Sequence, residues 1–436
     1  MEQVFMEGEF FNGSSRVEQM PMLVKELNAY SARFHDLFHR SEPREHFEIA
    51  MRSLLSTLEK KNVESMALKS GSRVPVRTLQ HFMSSSPWSD KEVRIRHQEF
   101  VSQTLGHPEG VAIIDGCDFT KKGKDSAGVA RQYCGATGKV DNCQAGVFLG
   151  YANPDGMATL VDGRLYIPKS WFTEEQKETR WTDCHIPKDI VFKTKPELAG
   201  EMIRETTDRA RLPLRYLVAD EAFGGNAGFL DGIPEGVFFF CEVPKTTLVW
   251  LPTPESSPDE SLHPTSEDDA RPVEVQTLVN RSELEHRSGV TIKEGAHGPI
   301  VADVARCRVV QVRKEGQQRV PGAECWFFLR VNPTTGEHKY YLSSVPADTP
   351  MEVNIWLSGM RWPVETCFQE SKDYLGMDHY QVRSWTGWHH PMTLTFLTHH
   401  FLTHLRRRGK KNAEPKSSTI HPPKSPNPQP GNRAFR

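Results

Sequence analysis

At 436 residues the chain is too long for one ordinary core, and 37% hydrophobic with 25% charged residues marks a globular, soluble protein of two or three domains. No stretch reaches the roughly 18 uninterrupted apolar residues of a spanning helix; the nearest, Met392 to Leu405, is broken by His399, His400 and His404. The opening MEQVFMEGEFFNGSS has neither a basic nor an apolar stretch, so no signal peptide is expected and the protein reads as cytoplasmic.

The net charge of −2 hides an asymmetry: Arg406 to Arg436 is strongly basic, Glu255 to Glu274 acidic. A basic tail suits a polyanionic partner, although solvated tails share that composition. The eight cysteines form no CxxC pair, which excludes a zinc ribbon and, in a cytoplasmic chain, a disulfide framework.

In chain order, Val24 to Leu105 reads as helical. HFEIAMRSLLSTLEKKN sets Phe47, Ala50, Met51, Leu54, Leu55 and Leu58 at helical spacing, and Ser89 is a natural N-cap for the run after it. The basic, Gly/Pro-broken KSGSRVPVRTLQHFMSSSPW between them fits either a helix-turn-helix or a bundle with a solvated face. Short β runs follow from Val111 (VAIID, GVARQY, AGVFLGYA, ATLVDGRLYIP), then a helix over Lys195 to Arg211 and the strands LRYLVAD and GVFFFCEVP. Strand, helix and strand in that order indicate an α/β domain. Leu251 to Pro272 is a Pro/Ser/acid-rich excursion, after which alternating β segments end in a hairpin turning at Asn332 to Gly336. Two helical stretches close the chain, around RWPVETCFQESKDYLG and TGWHHPMTLTFLTHHFLTHLRRR.

Two apolar runs, VAIID and YLVAD, end on Asp115 and Asp220. Paired side by side, such strands bring both carboxylates to one end of a sheet, where each raises the other's pKa unless a cation sits between them. Hard oxygen ligands of this kind suit Mg²⁺. Arg361, Glu365 and Lys372 share one helix face at about 100° per residue, whereas Glu370 points elsewhere. Strand alternation turns Asp118 and Glu221 away from Asp115 and Asp220. Each feature has a plain structural reading as well: a turn or helix cap for the aspartates, a surface ion pair for Arg361 and Glu365. The basic TKKGK after the first strand (Lys121, Lys122, Lys124) is not a P-loop, because the GxxxxGK[ST] spacing fails; it suits DNA phosphate. HFLTH lacks the Glu of a zincin helix, so its histidines read as packing residues.

The stretches FHDLFHRSEPREHFEIAMRSLLSTLEKKN, IIDGCDFTKKGKDSAGVARQYCGATGKVDNCQAGV, DGRLYIPKSW, FKTKPELA, YLVADEAFG and RWPVETCFQESKDYLGMDHYQVRSWTGWHHPMTL, in that order, resemble the IS701 family of insertion-sequence transposases. These are DDE enzymes related to the IS4 type. The resemblance implies an α/β RNase H-like catalytic core interrupted by a β-rich insertion, with an N-terminal helical domain. It assigns the D, D and E to Asp115, Asp220 and Glu365, as metal ligands for Mg²⁺ or Mn²⁺. Arg361 and Lys372 would contact phosphate. Of the IS4-type Y-(2)-R-(3)-E-(6)-K signature, Arg361, Glu365 and Lys372 are present and Ser358 replaces the Tyr; Asp115-Gly116-Cys117 stands where relatives carry DDT.

The expected division is 1–106, a helical DNA-binding domain; 107–245, the first part of the core; 246–347, the β-rich insertion; 348–408, the core's C-terminal helices; and 409–436, a basic disordered tail. The activity implied is cleavage of double-stranded DNA at transposon ends and joining of the 3′-hydroxyl to target DNA by two-metal phosphoryl transfer, in a homodimeric synaptic complex. A hairpin intermediate would stack a flipped base on an aromatic residue, Trp250 or Trp326 being candidates, though core packing explains either. Two other functions fit the same residues: a metal-dependent nuclease without strand transfer, and a domesticated DNA-binding protein without catalysis.

Overall fold

The computed structural model describes residues 16–69, 74–209, 211–251, 271–281, 284–295 and 298–412. Most of the acidic excursion and the tail after Asn412 lie outside these residues. Two compact units emerge: one holds the described residues up to Val237 together with those from Met360 onward, the other is Phe238–Gly359. Among the described residues no helix is long and apolar enough to cross a membrane.

The first unit opens with five helices: α1 (Arg16–Ala32), α2 (Ser41–Leu54), α3 (Val63–Lys69), α4 (Val76–Ser84) and α5 (Asp90–Leu105). Ser89 caps α5, its hydroxyl accepting from the Glu92 amide at 3.1 Å. Strands β1 (Val111–Thr120), β2 (Ala130–Cys134), β3 (Lys139–Ala152) and β4 (Ala158–Tyr166) follow, then the short α6 (Glu174–Gln176), α7 (Lys195–Thr207), β5 (Tyr216–Ala219), α8 (Glu221–Gly224) and α9 (Ala227–Asp231). The second unit contributes β6 (Phe238–Val243), β7 (Leu248–Trp250), β8 (Val273–Glu274), β9 (Glu285–Gly295), β10 (Gly298–Glu315), β11 (Gln318–Val331), β12 (His338–Ser343) and α10 (Met351–Gly359). The chain then re-enters the first unit as α11 (Trp362–Asp373) and α12 (Trp385–Asn412).

In the first unit β1 is central, antiparallel to β3 on one side and parallel to β5 on the other. β2 and β4 share the far edge of β3, β2 against its first residues and β4 against the rest. Phe148 on β3 stands opposite Asp115 and packs on Phe368 of α11 and on Trp388 and Phe396 of α12, ring centroids 5.3, 5.9 and 6.1 Å away. Its ring covers Gly146 so closely that a Cβ there would meet it at 2.5 Å. Glycine is required because a larger residue would lift the ring off the sheet and the helices with it. The N-terminal helices have no core of their own: Phe34, Phe47, Leu79 and Phe100 share one cluster with Leu394, Leu397, Phe401 and Leu402 of α12. The histidines of α12 are packing residues. His400 bonds to Tyr30 (3.0 Å) and Thr104 (2.8 Å), and His399 to Thr159 (3.1 Å) and Glu370 (3.1 Å).

The second unit is a sheet in the order β6-β12-β11-β10-β7-β8, with β9 also on β10. The expected hairpin at Asn332 to Gly336 joins β11 to β12, its Gly336 amide donating to the Asn332 carbonyl at 2.8 Å. Trp326 is buried here: its indole N–H donates to the Pro346 carbonyl at 3.1 Å, and Arg306 and Arg308 lie 4.0 and 4.9 Å from its ring. With Trp326 only 8% exposed, its packing reading fits better than a stacking platform.

Candidate active site

β1 does not stop at Asp115. Its antiparallel pairing with β3 runs on to Thr120, opposite Cys143, whereas its parallel pairing with β5 ends at Ile114 opposite Ala219. Asp115 therefore stands just past the point where β5 leaves the sheet, and Asp220 is the next residue of β5's own chain. The two carboxylates are neighbours through this register. Asp220 also caps α8, accepting from the Ala222 amide at 3.0 Å, so the helix-cap reading is realised in the same residue.

Glu365 reaches the pair from α11 through Arg361. The guanidinium holds Asp115 Oδ2 at 3.1 Å and Glu365 Oε1 at 2.5 Å, and the Gly116 amide donates to Asp115 Oδ1 at 2.7 Å. Burial pushes Asp115 up to about 6; Arg361 opposes this, while Asp220 and Glu365 add to it. Arg361 thus bridges two carboxylates, with that of Asp220 acting on Asp115 from the neighbouring strand's end, which leaves an excess of negative charge after the apolar run.

Lys372 lies further along. Its ammonium meets the thiol of Cys117 and lies 5.9 Å from the Phe119 ring, farther down the sheet face that carries Asp115. The seven-residue step from Glu365 to Lys372 amounts to about 10 Å of helix. Glu370 is tied off on the other side of α11. Its carboxylate takes His399 Nε2 at 3.1 Å and Arg406 Nη1 at 2.6 Å. Burial would raise its pKa, but those two partners outweigh it and hold it near 2. Asp118 faces away, accepting from the Gly135 amide at 2.7 Å.

Among the described residues no three His, Cys, Asp or Glu side chains are gathered tightly enough to enclose a metal ion. The donor set nonetheless fits a hard divalent cation: carboxylate oxygens only, charged beyond what Arg361 neutralises. Sequence reasoning missed Trp362, whose side chain is 53% exposed at the first turn of α11, between Arg361 and Glu365. The available signal was the Arg-Trp-Pro start to the helix, since a Pro favoured in a first turn places the Trp beside it there too.

A family model described as DDE superfamily endonuclease matches residues 33–299, which include Asp115 and Asp220 and end before Glu365. The probable transposase for insertion sequence element IS701 from Microchaete diplosiphon is 26% identical over 201 residues, 46% of this chain and 48% of that protein. The chain thus spans about half the length of this curated relative. A cryo-EM structure of the piggyBac transposase synaptic complex with hairpin DNA aligns over 90% of this chain and 73% of that one, at 9% identity and a TM-score of 0.40. With more than half its length matched by the family model, the chain belongs to the DDE superfamily of endonucleases.

Proposed function

We propose that the protein is a transposase that binds double-stranded DNA at the ends of its element, cleaves there and joins the freed 3′-hydroxyl to a target. The observation that carries this reading is the convergence of Asp115 and Asp220, on adjacent parallel strands, with Glu365 through the Arg361 bridge. The strand order β4-β3-β1-β5, antiparallel up to β1 and then parallel, supports an RNase H-like core.

Asp115, Asp220 and Glu365 would hold divalent cations, Mg²⁺ being suited to so hard a donor set. When bound, such cations activate an attacking oxygen and stabilise the leaving one at phosphorus. The residues of the chain supply the rest. Asp115 is anchored by the Gly116 amide and Asp220 by its cap on α8, so neither carboxylate swings freely. Arg361 keeps Glu365 at the pair and presents a planar fork suited to a phosphate oxygen. Lys372 offers a point charge farther along the same face. The helices before β1 would add DNA contacts, and two copies would synapse two ends.

The test is a labelled duplex spanning one border of the element, incubated with the protein and Mg²⁺ or EDTA. Nicking at the border that needs metal and is abolished in Asp115→Ala, Asp220→Ala and Glu365→Ala, with binding retained, is the expected result. Cleavage that survives Glu365→Ala sinks the triad.

A further inference from the structure

The sheet face that carries Asp115 continues well beyond the helices that cover it. Along β1, Asp115, Cys117 and Phe119 alternate onto one face, and their partners on β3 are Phe148, Gly146 and Gln144. The same face of β3 then carries Asn142 and Val140, whose partners on β2 are Arg131 and Tyr133. Cover ends at Tyr380, whose hydroxyl donates to Gln144 at 2.8 Å. Beyond it Tyr133 and Val140 are 65% and 56% exposed, an aromatic and an aliphatic side chain paired on open surface.

Cations surround them. Arg131 is exposed on the same face of the hairpin, and Lys122 and Lys124 on the adjoining loop. Asn142 fixes that loop, its side-chain amide donating to the carbonyls of Lys121 and Gly123, the latter at 2.9 Å. Lys121 itself is spent on structure: its ammonium lies 3.5 Å from the Tyr380 ring centroid. Among the described residues none of Lys122, Lys124 and Arg131 has an ion-pair partner, whereas the nearby Asp125 is matched by Arg383 at 3.1 Å, and Lys139 and Asp141 alternate onto the opposite face. The patch therefore holds about three unmatched positive charges, continuous with the face of the carboxylates.

We propose that the β2–β3 hairpin and the Lys122–Lys124 loop form a second DNA contact that grips the duplex backbone about six to eight base pairs from the phosphate being cleaved, with Tyr133 packed against the sugars. The spacing follows from the register. Asn142 and Val140 lie six and eight residues along β3 from Phe148, which is about 20 to 26 Å of strand. Duplex DNA rises about 3.4 Å per base pair. The inference rests on the transposase reading, and its test separates the two.

Binding of a mixed-sequence duplex of about 30 base pairs is titrated between about 50 and 200 mM salt. Wild type is compared with the variant Lys122→Ala, Lys124→Ala, Arg131→Ala, all three exposed and outside the carboxylate site. The slope of log K against log salt should flatten by about 2 to 3, near 0.9 for each phosphate that the variant no longer neutralises. Photo-crosslinking from p-benzoylphenylalanine at position 133 to an element-border duplex should label base pairs about six to eight from the cleaved phosphate. An unchanged slope in a variant that melts like wild type, or crosslinks at the cleaved phosphate itself, overturns the hairpin contact and leaves the transposase reading standing. Wild-type protein that binds no duplex at all overturns that reading first.

Discussion

α11 carries two glutamates five residues apart, Glu365 paired with Arg361 and Glu370 with His399 and Arg406. Glu370 is ionised against His399 and Arg406, with its pKa held near 2 against an ordinary carboxylate value of 4.5. A depressed acid contributes stability that is fully present above its unfolded pKa and lost as pH falls through the folded one. The difference of about 2.5 units is worth ~3 kcal/mol at pH 7 and shrinks to ~1.4 kcal/mol by about pH 3. Glu370→Gln removes the charge and keeps the shape, so the unfolding free energy at pH 7 should fall by ~2–3 kcal/mol. That gap to wild type should narrow between about pH 4.5 and 2. Protein that remains folded should still nick an element-border duplex, because Glu370 points at α12 and away from Asp115. Glu365→Gln should do the reverse: near-wild-type urea unfolding with nicking abolished. Urea titrations at pH 7 and about pH 3.5, beside a nicking assay on each variant, check all four outcomes. A Glu370→Gln protein as stable as wild type but unable to nick would refute the assignment and make Glu370 the third acid.

Arg94 is buried between Asp90 and Asp162, 3.0 Å from the latter; Arg94→Met removes the ion-pair partner of Asp90 and leaves the buried Asp162 to Arg164 alone, and should cost ~3 kcal/mol, measured by urea unfolding. Gly146→Ala drives a methyl into the Phe148 ring and should destabilise by ~1–3 kcal/mol, with a matching fall in melting temperature. His97 is fully buried with no partner on either ring nitrogen, and burial, helped by His399, lowers its pKa to about 3. It folds neutral, so the unfolded chain takes the proton first and stability drops by ~2 kcal/mol between about pH 6.5 and 5. His97→Leu should flatten that part of the melting profile, and an unchanged profile would place the acid sensitivity elsewhere. Supplied with a pre-cleaved 3′-hydroxyl end and a supercoiled plasmid, the wild-type protein should give joined products; nicking without any joining would favour the simple nuclease.

The aspartates were legible because an apolar run ending on a charge is expensive unless something answers it, and two such runs invited pairing. The reach of β1 past Asp115 was not: GCDFT alternates weakly, and only the antiparallel partner β3 reveals it as strand. Helical spacing correctly set Arg361, Glu365 and Lys372 on one face of α11. It could not say that Lys372 ends on Cys117, since that depends on where the helix lies along β1. The basic loop read as three equivalent lysines until Tyr380, more than 250 residues away in sequence, claimed Lys121. Contacts so remote in sequence leave no local pattern to find.

The return of the chain at Met360 has a consequence for synthesis. Asp115 and Asp220 leave the ribosome early, but Glu365 and its Arg361 bridge follow only after the whole second unit has been made. The roughly 145 residues from Asp220 to Glu365 take about 7–30 s at about 5–20 residues per second. Throughout that interval a nascent chain carries two of its three acids and cannot assemble the set. A truncated product ending anywhere inside the second unit is equally incomplete. The order of the elements along the chain thus delays assembly of the three-carboxylate set until the second unit has been made.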